Sequence, residues 1–247
     1  MNIISVKTHK IISSEEDLLT ILDKYLPRLK EKSVLAITSK IVSICEGSVI
    51  KIGKMDKTEL IKKQADYFIS PEQSKYNITL TIKRGMLVPT AGIDESNGNG
   101  YYILWPKNPQ KTANIVRKYL KKKFQLKFVG VIITDSKTTP LRWGTTGFAL
   151  AHSGFNALNN YIGKPDIFGR LLHVSKASVM DALASSAVAV MGEGNEQTPL
   201  ATIEDVPFVK FQSRNPTKNE LNELNILFED DLYAPLLKSI NWKKGIN

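Results

Sequence analysis

Between Phe128 and Ile133 the chain reads FVGVII, a run without one polar side chain. A half-exposed strand alternates, and a membrane helix needs about 20 apolar residues, so a run this short and continuous fits a strand buried on both faces of a sheet. Such a strand requires elements packed above and below it. It ends in Thr134-Asp135-Ser136. A carboxylate at the end of a buried strand, followed by a polar segment, is a common metal or catalytic address, although a capping Asp has the same pattern.

Helical periodicity supplies the covering elements. Residues 14–26 place Leu18, Ile21, Leu22 and Tyr25 on one face behind Ser14 as the N-cap. Residues 57–69 form a second surface helix. Residues 112–124 place Ala113, Val116, Leu120 and Phe124 on one face and a lysine run on the other. Ser175 to Met191 predicts a close-packed helix, capped by Ser175, whose Val179, Leu183, Ala187 and Met191 repeat every fourth residue. Strands are predicted at Val34–Ile37, within Ile78–Ile82 and near Phe208–Phe211, with an acidic helix over Glu220–Leu232. The candidate linkers lie near Ser70–Pro71 and Gln212–Pro216.

Composition narrows the classes. Apolar residues are 42% and charged residues 23% of 247, ordinary globular values that exclude wholesale disorder and a collagen-like chain. Lys and Arg exceed Asp and Glu by 34 to 24, a formal charge of +10. Only Arg28, Arg84, Arg117, Arg142, Arg170 and Arg214 are arginines, and no zinc-finger spacing or aromatic nucleic-acid motif accompanies them. The excess is therefore read as a solvated lysine surface and not as nucleic-acid binding. One cysteine, Cys45, excludes an intrachain disulfide, and no apolar run reaches membrane length. A soluble, cytoplasmic protein is expected. His9, His152 and His173 show no ligand spacing and read as structural or surface residues.

Several loops carry unusual chemistry. The strand at Val34–Ile37 runs into Thr38-Ser39-Lys40-Ile41-Val42-Ser43, small hydroxyls and a lysine at a helix start, a junction able to hold an anion or simply a capped helix. Met86–Asn97 has Pro and Gly around a short apolar segment, which places Asp94, Glu95, Ser96 and Asn97 in a polar loop. Lys137–Gly147 reads as a hydroxyl- and glycine-rich loop around Arg142. Met191-Gly192-Glu193-Gly194-Asn195-Glu196 ends a helix in glycines that let backbone N–H groups face phosphate. It matches neither a P-loop nor a dinucleotide fingerprint.

Taken together and in order, these segments resemble the coenzyme F420 γ-glutamyl ligase family of GTP-dependent amide ligases. The stretches that carry the resemblance are Ser39–Ser43 with Glu46-Gly47, Ala91–Asn97, Val131–Ser136, Pro140–Arg142 with Gly144, Asp166–Arg170 and Met191–Gly194. TTPLRWGTTG, DIFGR and GEGNEQTPLA are most similar to bacterial members assigned to folate metabolism as γ-glutamate ligases. The resemblance implies an α+β fold of mixed sheets with helices, two interlocked subdomains in one unit over residues 1–247, with subdomain boundaries near 70–85 and 212–216, and a homodimer.

By position, the resemblance also implies Asp94, Asp135, Ser136 and Glu193 as ligands of Mg2+ or Mn2+. Ser39, Lys40, Asn97, Gly192 and Gly194 would contact GTP as co-substrate. Asp135 and Arg142 would act in catalysis. L-glutamate and an anionic small-molecule acceptor would be the partners, with no nucleic acid and no membrane. Ile44 stands where the coenzyme branch has lysine, and Thr138-Thr139 where it has Gly-Arg.

The chemistry accounts for these residue types. A carboxylate must become an acyl phosphate before an amine displaces its oxygen, and hard oxygen ligands hold the cation that neutralises phosphoryl charge. Two rival expectations accompany this one. A nucleotide-binding regulator would keep these loops without ligation, and a basic nucleic-acid-binding protein would show steep salt dependence.

Overall fold

The computed structural model describes residues 1–12 and 16–246. In chain order the first elements are β1 (Asn2–Val6), α1 (Leu18–Tyr25), β2 (Ser33–Thr38), α2 (Ser39–Cys45), β3 (Val49–Lys51), α3 (Lys57–Gln64) and β4 (Tyr67–Phe68). Then come β5 (Leu80–Lys83), β6 (Met86–Pro89), β7 (Tyr101–Ile103), α4 (Pro109–Phe124), β8 (Val129–Thr139) and β9 (Arg142–Ser153). The chain closes with β10 (Leu158–Asn160), β11 (Lys176–Ser178), α5 (Val179–Met191), β12 (Leu200–Glu204), α6 (Lys218–Asn222), α7 (Ala234–Lys238) and β13 (Lys243–Lys244).

A five-stranded sheet in the order β1-β12-β2-β8-β9 forms the centre. Its only parallel pair is β2 with β8; the other neighbours run antiparallel. The strand predicted from FVGVII is β8, and alternation explains its burial on both sides. Val129, Val131 and Ile133 pack with Leu35, Ile37 and the inner faces of α1, α2 and α4, through Leu22, Ile41, Ala113, Val116 and Leu120. Ile132 turns the other way with Val34 and Ala36, onto Val179, Leu183, Ala187 and Met191 of α5. The predicted apolar face of α5 is therefore the buried one. At roughly 1.5–3 kcal/mol per fully buried aliphatic side chain, these two layers dominate stabilisation.

A smaller body covers residues 49–104. It holds the β3-β7 pair and the sheet β13-β4-β5-β6, packed around Leu60, Ile61, Phe68, Ala91, Ile93 and Tyr102. The C-terminal β13 returns to pair with β4, so the chain's last residues join this body. Residues 70–85 contain the connection from β4 to β5 and β5 itself, inside this sheet, and residues 212–216 precede α6. The helices and mixed sheets together make an α+β protein. Among the described residues no helix is long and apolar enough to cross a membrane.

Several expected boundaries move. Ser14 lies outside the described residues, and α1 is instead capped by Asp17, whose carboxylate accepts from the Thr20 N–H at 3.0 Å. The helix expected over 57–69 stops at Gln64 because Tyr67 and Phe68 pair as a strand with β5. Ser178, not Ser175, caps α5, since residues 176–178 are already committed to β11. The short apolar segment at Met86–Pro89 is a strand. The Lys137–Gly147 segment is no loop: β8 and β9 continue through it as a hairpin, its Thr-rich sequence suiting a strand.

Near the C-terminus the expected strand Phe208–Phe211 reduces to one bridge, Phe155 to Phe211, while Leu200–Glu204 forms the actual strand. The acidic helix expected over 220–232 is only the five residues of α6, closed by a Thr217–Glu220 capping box. Beyond it Leu227 and Leu232 are exposed, so no apolar face holds further turns.

Candidate active site

Four ends of the central sheet meet on one side. Thr38 and Thr134 are register partners at the carboxyl ends of the parallel pair, Leu200 begins β12 beside Ile37, and Val6 ends β1 beside Leu200. A cavity of about 590 Å3 opens there. Its wall includes Thr8, His9 and Lys10 after β1, Lys40 and Ile44 of α2, Asp94 and Asn97, Thr134 to Ser136, and Gly192 to Thr198. The crevice beyond the carboxyl ends of parallel strands is where open sheets place ligands.

A register shift marks the point where β8 enters the cavity. Ile133 faces Ala151 but Thr134 faces Ala149, leaving Leu150 as the extra residue of a β-bulge. Bulges re-aim side chains and gather beside active sites. Along β8 itself alternation continues, so Asp135 follows Ile133 toward α2, and Ser136 turns toward the end of α5. The Ser136 hydroxyl donates to Glu193 Oε2 at 3.2 Å, and Thr145 reaches the other oxygen of Glu193 at 3.5 Å.

Asp94 comes from the smaller body. Thr90, Ala91 and Gly92 have φ of 52, 52 and 69°, three consecutive left-handed residues that reverse the chain after β6. This costly turn is held by the Thr81 hydroxyl, which accepts from the Ala91 N–H at 2.9 Å, and by Lys83 Nζ, which donates to the Ala91 carbonyl at 3.1 Å. Asp94 then pairs with Ile103 through backbone bonds of 3.0 and 2.7 Å. Its carboxylate faces Lys40 Nζ at 2.6 Å and accepts from the Ser96 N–H and hydroxyl at 2.7 and 3.0 Å. Burial works to raise its pKa, but Lys40, by hydrogen bond and charge, and the Ser96 donors hold it below the ordinary carboxylate value.

Asp135 has a different setting. Its Oδ2 accepts from the Trp105 indole N–H at 2.5 Å and its Oδ1 from the Ser136 N–H at 2.9 Å. Burial nevertheless pushes its pKa up to about 6, with the Asp94 charge a smaller contribution in the same direction. Beneath it lies a second buried ionisable group, Lys83, whose ammonium sits 5.1 Å from the Trp105 ring centroid. Burial lowers the Lys83 pKa to about 8.

The remaining sequence-derived candidates divide. Asn97 Nδ2 donates to the Gly194 carbonyl at 2.9 Å, tying the Asp94 loop to the loop after α5. Gly192 and Gly194 line the cavity. Ser39 is buried in the first turn of α2 and contributes no wall, and Arg142 stands exposed at the tip of the β8–β9 hairpin, outside the cavity. Ile44 gives the wall an apolar patch. His9 lines the cavity with its Nδ1 2.7 Å from the Tyr25 hydroxyl, while His152 is buried and held down to about pKa 4 by burial. The Cys45 thiol is pushed up to about 11 by burial, the opposite of an activated nucleophile.

Sequence reasoning missed Trp105 and Lys83. Trp105 lies in a short connection with no motif of its own, and the only available signal was a large aromatic between the apolar run Tyr101–Leu104 and Pro106.

The hard oxygens of Asp94, Asp135, Ser136 and Glu193 suit Mg2+ or Mn2+ by type. Among the described residues no three His, Cys, Asp or Glu side chains gather tightly enough to hold a metal unaided.

Comparison with known proteins adds an independent line. Residues 6–205 match the family model described as F420-0:Gamma-glutamyl ligase. The chain is 34% identical over 216 residues, 80% of it and 85% of the relative, to a protein named Coenzyme F420:L-glutamate ligase from Methanococcus maripaludis strain C7. Proteins of the same name from Methanocaldococcus jannaschii and Methanopyrus kandleri are each 33% identical, over 206 and 189 residues. The first alignment covers 76% of this chain and 82% of the relative, the second 69% and 74%.

Proposed function

The chain belongs to the F420-0:gamma-glutamyl ligase family and is a ligase by class, and on that premise we propose that it joins L-glutamate, through its α-amine, to a carboxylate of a small anionic metabolite. The acceptor is a deazaflavin coenzyme precursor or a folate, the energy source GTP, and the setting the cytoplasm. The observation that carries this reading is the single cavity in which Lys40, Asp94, Asp135, Ser136 and Glu193 converge from four separate segments.

The reaction follows from what these groups can do. An acceptor carboxylate oxygen attacks the γ-phosphorus of GTP and GDP leaves, giving an acyl phosphate; the neutral glutamate amine then attacks the acyl carbon, phosphate leaves and an amide forms. Lys40 supplies fixed positive charge beside the transferring phosphoryl group. The Gly194 N–H donates at 2.8 Å to Glu196 Oε2, a carboxylate that a phosphate would have to replace, and Asn97 fixes that loop against the Asp94 turn. A Mg2+ or Mn2+ bound at Asp94 and Asp135, with a second at Ser136 and Glu193, would neutralise charge on the phosphoryl oxygens. Ile41 and Ile44 give part of the wall an apolar surface, which would hinder water from reaching an acyl phosphate.

A homodimer is part of the proposal. Ile167, Phe168 and Val174 project from the arm between β10 and β11 at 91, 88 and 86% exposure, apolar surface that a second copy would cover. Sedimentation as a monomer would remove that part.

The test is GDP release by the purified chain with Mn2+, glutamate and each acceptor class in turn. Release that requires both glutamate and a deazaflavin or folate acceptor is expected. GTP binding without turnover on either acceptor would favour a regulator and overturn the ligase mechanism.

A further inference from the structure

We propose that Trp105 is a positioning residue whose indole N–H fixes the carboxylate of Asp135 in one orientation toward the cavity. The inference rests on the reading above only in taking Asp135 as part of the active centre.

Each oxygen of Asp135 has one N–H donor, Trp105 Nε1 at 2.5 Å on Oδ2 and the Ser136 N–H at 2.9 Å on Oδ1. Two donors on opposite oxygens of a carboxylate define its plane, whereas one would leave it free to rotate. Such outer partners fix ligand orientation and are worth about 10–100-fold in metal affinity or activity. The bond comes from another segment of the chain, so it reports an arrangement and not a local turn.

The indole is itself seated with little freedom. Trp105 is 4% exposed. A Cβ added to Gly92 would lie 2.1 Å from Trp105 Nε1, so the ring edge occupies the space that any other residue at 92 would fill. With φ at +69°, Gly92 is also in the left-handed region that favours glycine. On the ring face, Lys83 Nζ is 5.1 Å from the centroid and simultaneously holds the Ala91 carbonyl, the residue before Gly92. Phe148, the strand partner of Asp135, closes the remaining side with ring centroids 6.2 Å apart. The left-handed turn that delivers Asp94 thus also shapes the socket that aims Trp105 at Asp135. One turn sets both carboxylates.

A buried tryptophan often finds some acceptor for its N–H without further consequence. Trp105→Phe separates the two roles, because phenylalanine keeps an aromatic body in the socket and loses only the donor end. The chain has three tryptophans, so a 15N-labelled sample gives three indole signals, and Trp105→Phe identifies one of them. That signal is expected far downfield and should move when Asp135→Asn replaces the carboxylate by a weaker acceptor. An indole signal indifferent to Asp135→Asn overturns the proposal.

The second arm measures free Mn2+ by electron paramagnetic resonance in the presence of GDP. Trp105→Phe should bind Mn2+ about 10–100-fold more weakly than the wild type, at an unchanged far-UV spectrum. Gly92→Ala should weaken it in the same direction while keeping the indole, because it displaces the ring. Mn2+ affinity within twofold of wild type in Trp105→Phe overturns the positioning role. If the wild type itself takes up no Mn2+, the metal reading fails, and the indole signal alone decides for or against Trp105.

Discussion

Asp94 and Asp135 line the same cavity and have opposite electrostatic settings. Asp94 has a cation beside it, Lys40 at 2.6 Å, and its pKa lies below the ordinary value. Asp135 has only neutral donors, and burial raises it to about 6. The difference teaches that a hydrogen bond and a charge are not equivalent compensation. Neutral N–H groups orient a carboxylate but offset only part of the cost of taking it out of water, whereas an ammonium offsets the charge itself. Paired carboxylates whose environments drive them apart are a recurrent property of catalytic sites.

The largest test of this contrast is Asp135→Asn. The amide preserves shape and still accepts from Trp105, so the fold should persist while the charge is gone. Glutamate-dependent GDP release is expected to fall about 10³-fold, about 4 kcal/mol of barrier, in steady-state assays. Full activity would remove Asp135 from the chemistry and dissolve the comparison.

The next test asks whether burial is truly the cause on the Asp135 side, since burial must push a base the other way. Lys83 is 6% exposed with its pKa lowered to about 8 from 10.5. Between these values the unfolded chain still holds a proton that the folded protein has released, so stability should rise with pH across the window. The rise is bounded at about 3 kcal/mol, and Lys83→Met should lack it. Denaturant midpoints at pH 7.5 and 10 in both proteins check this; equal rises would place the origin elsewhere.

The smallest expected effect is on the Asp94 side. Lys40→Met removes the counter-charge, so the Asp94 carboxyl should titrate higher, toward the ordinary range. GDP affinity should fall about tenfold, or 1.4 kcal/mol, in isothermal titration. Unchanged affinity would confine Lys40 to its pairing with Asp94.

Much of the central architecture was legible because it rests on local periodicity. FVGVII gave β8, and the four-residue repeat of Val179, Leu183, Ala187 and Met191 gave the buried face of α5. The hairpin beyond Asp135 was not, because threonine and glycine serve turns and strands alike and only pairing across β8 and β9 decides between them. Of the site, Lys40, Asp94, Asp135 and Glu193 were visible through motif order. Arg142 shares that motif order yet stands exposed at a hairpin tip, because sequence adjacency to Asp135 does not survive strand geometry: a strand advances about 3.3 Å per residue. Trp105 and Lys83 carry no pattern at all, since what matters about them is the left-handed turn at Thr90–Gly92 that brings them together.

The cavity draws its wall from five places spread along the chain, around Thr8, Lys40, Asp94, Asp135 and Glu193. No early-forming hairpin or helix contains enough of it to hold a ligand, and closing such distant contacts is the slow part of reaching a native topology. The site is therefore complete only once these distant segments have come together. Any ligand that binds only the folded site adds about 2.7 kcal/mol to stability at a hundred times its dissociation constant by mass action alone. For a cell, substrate supply and the abundance of the enzyme are then linked through one equilibrium.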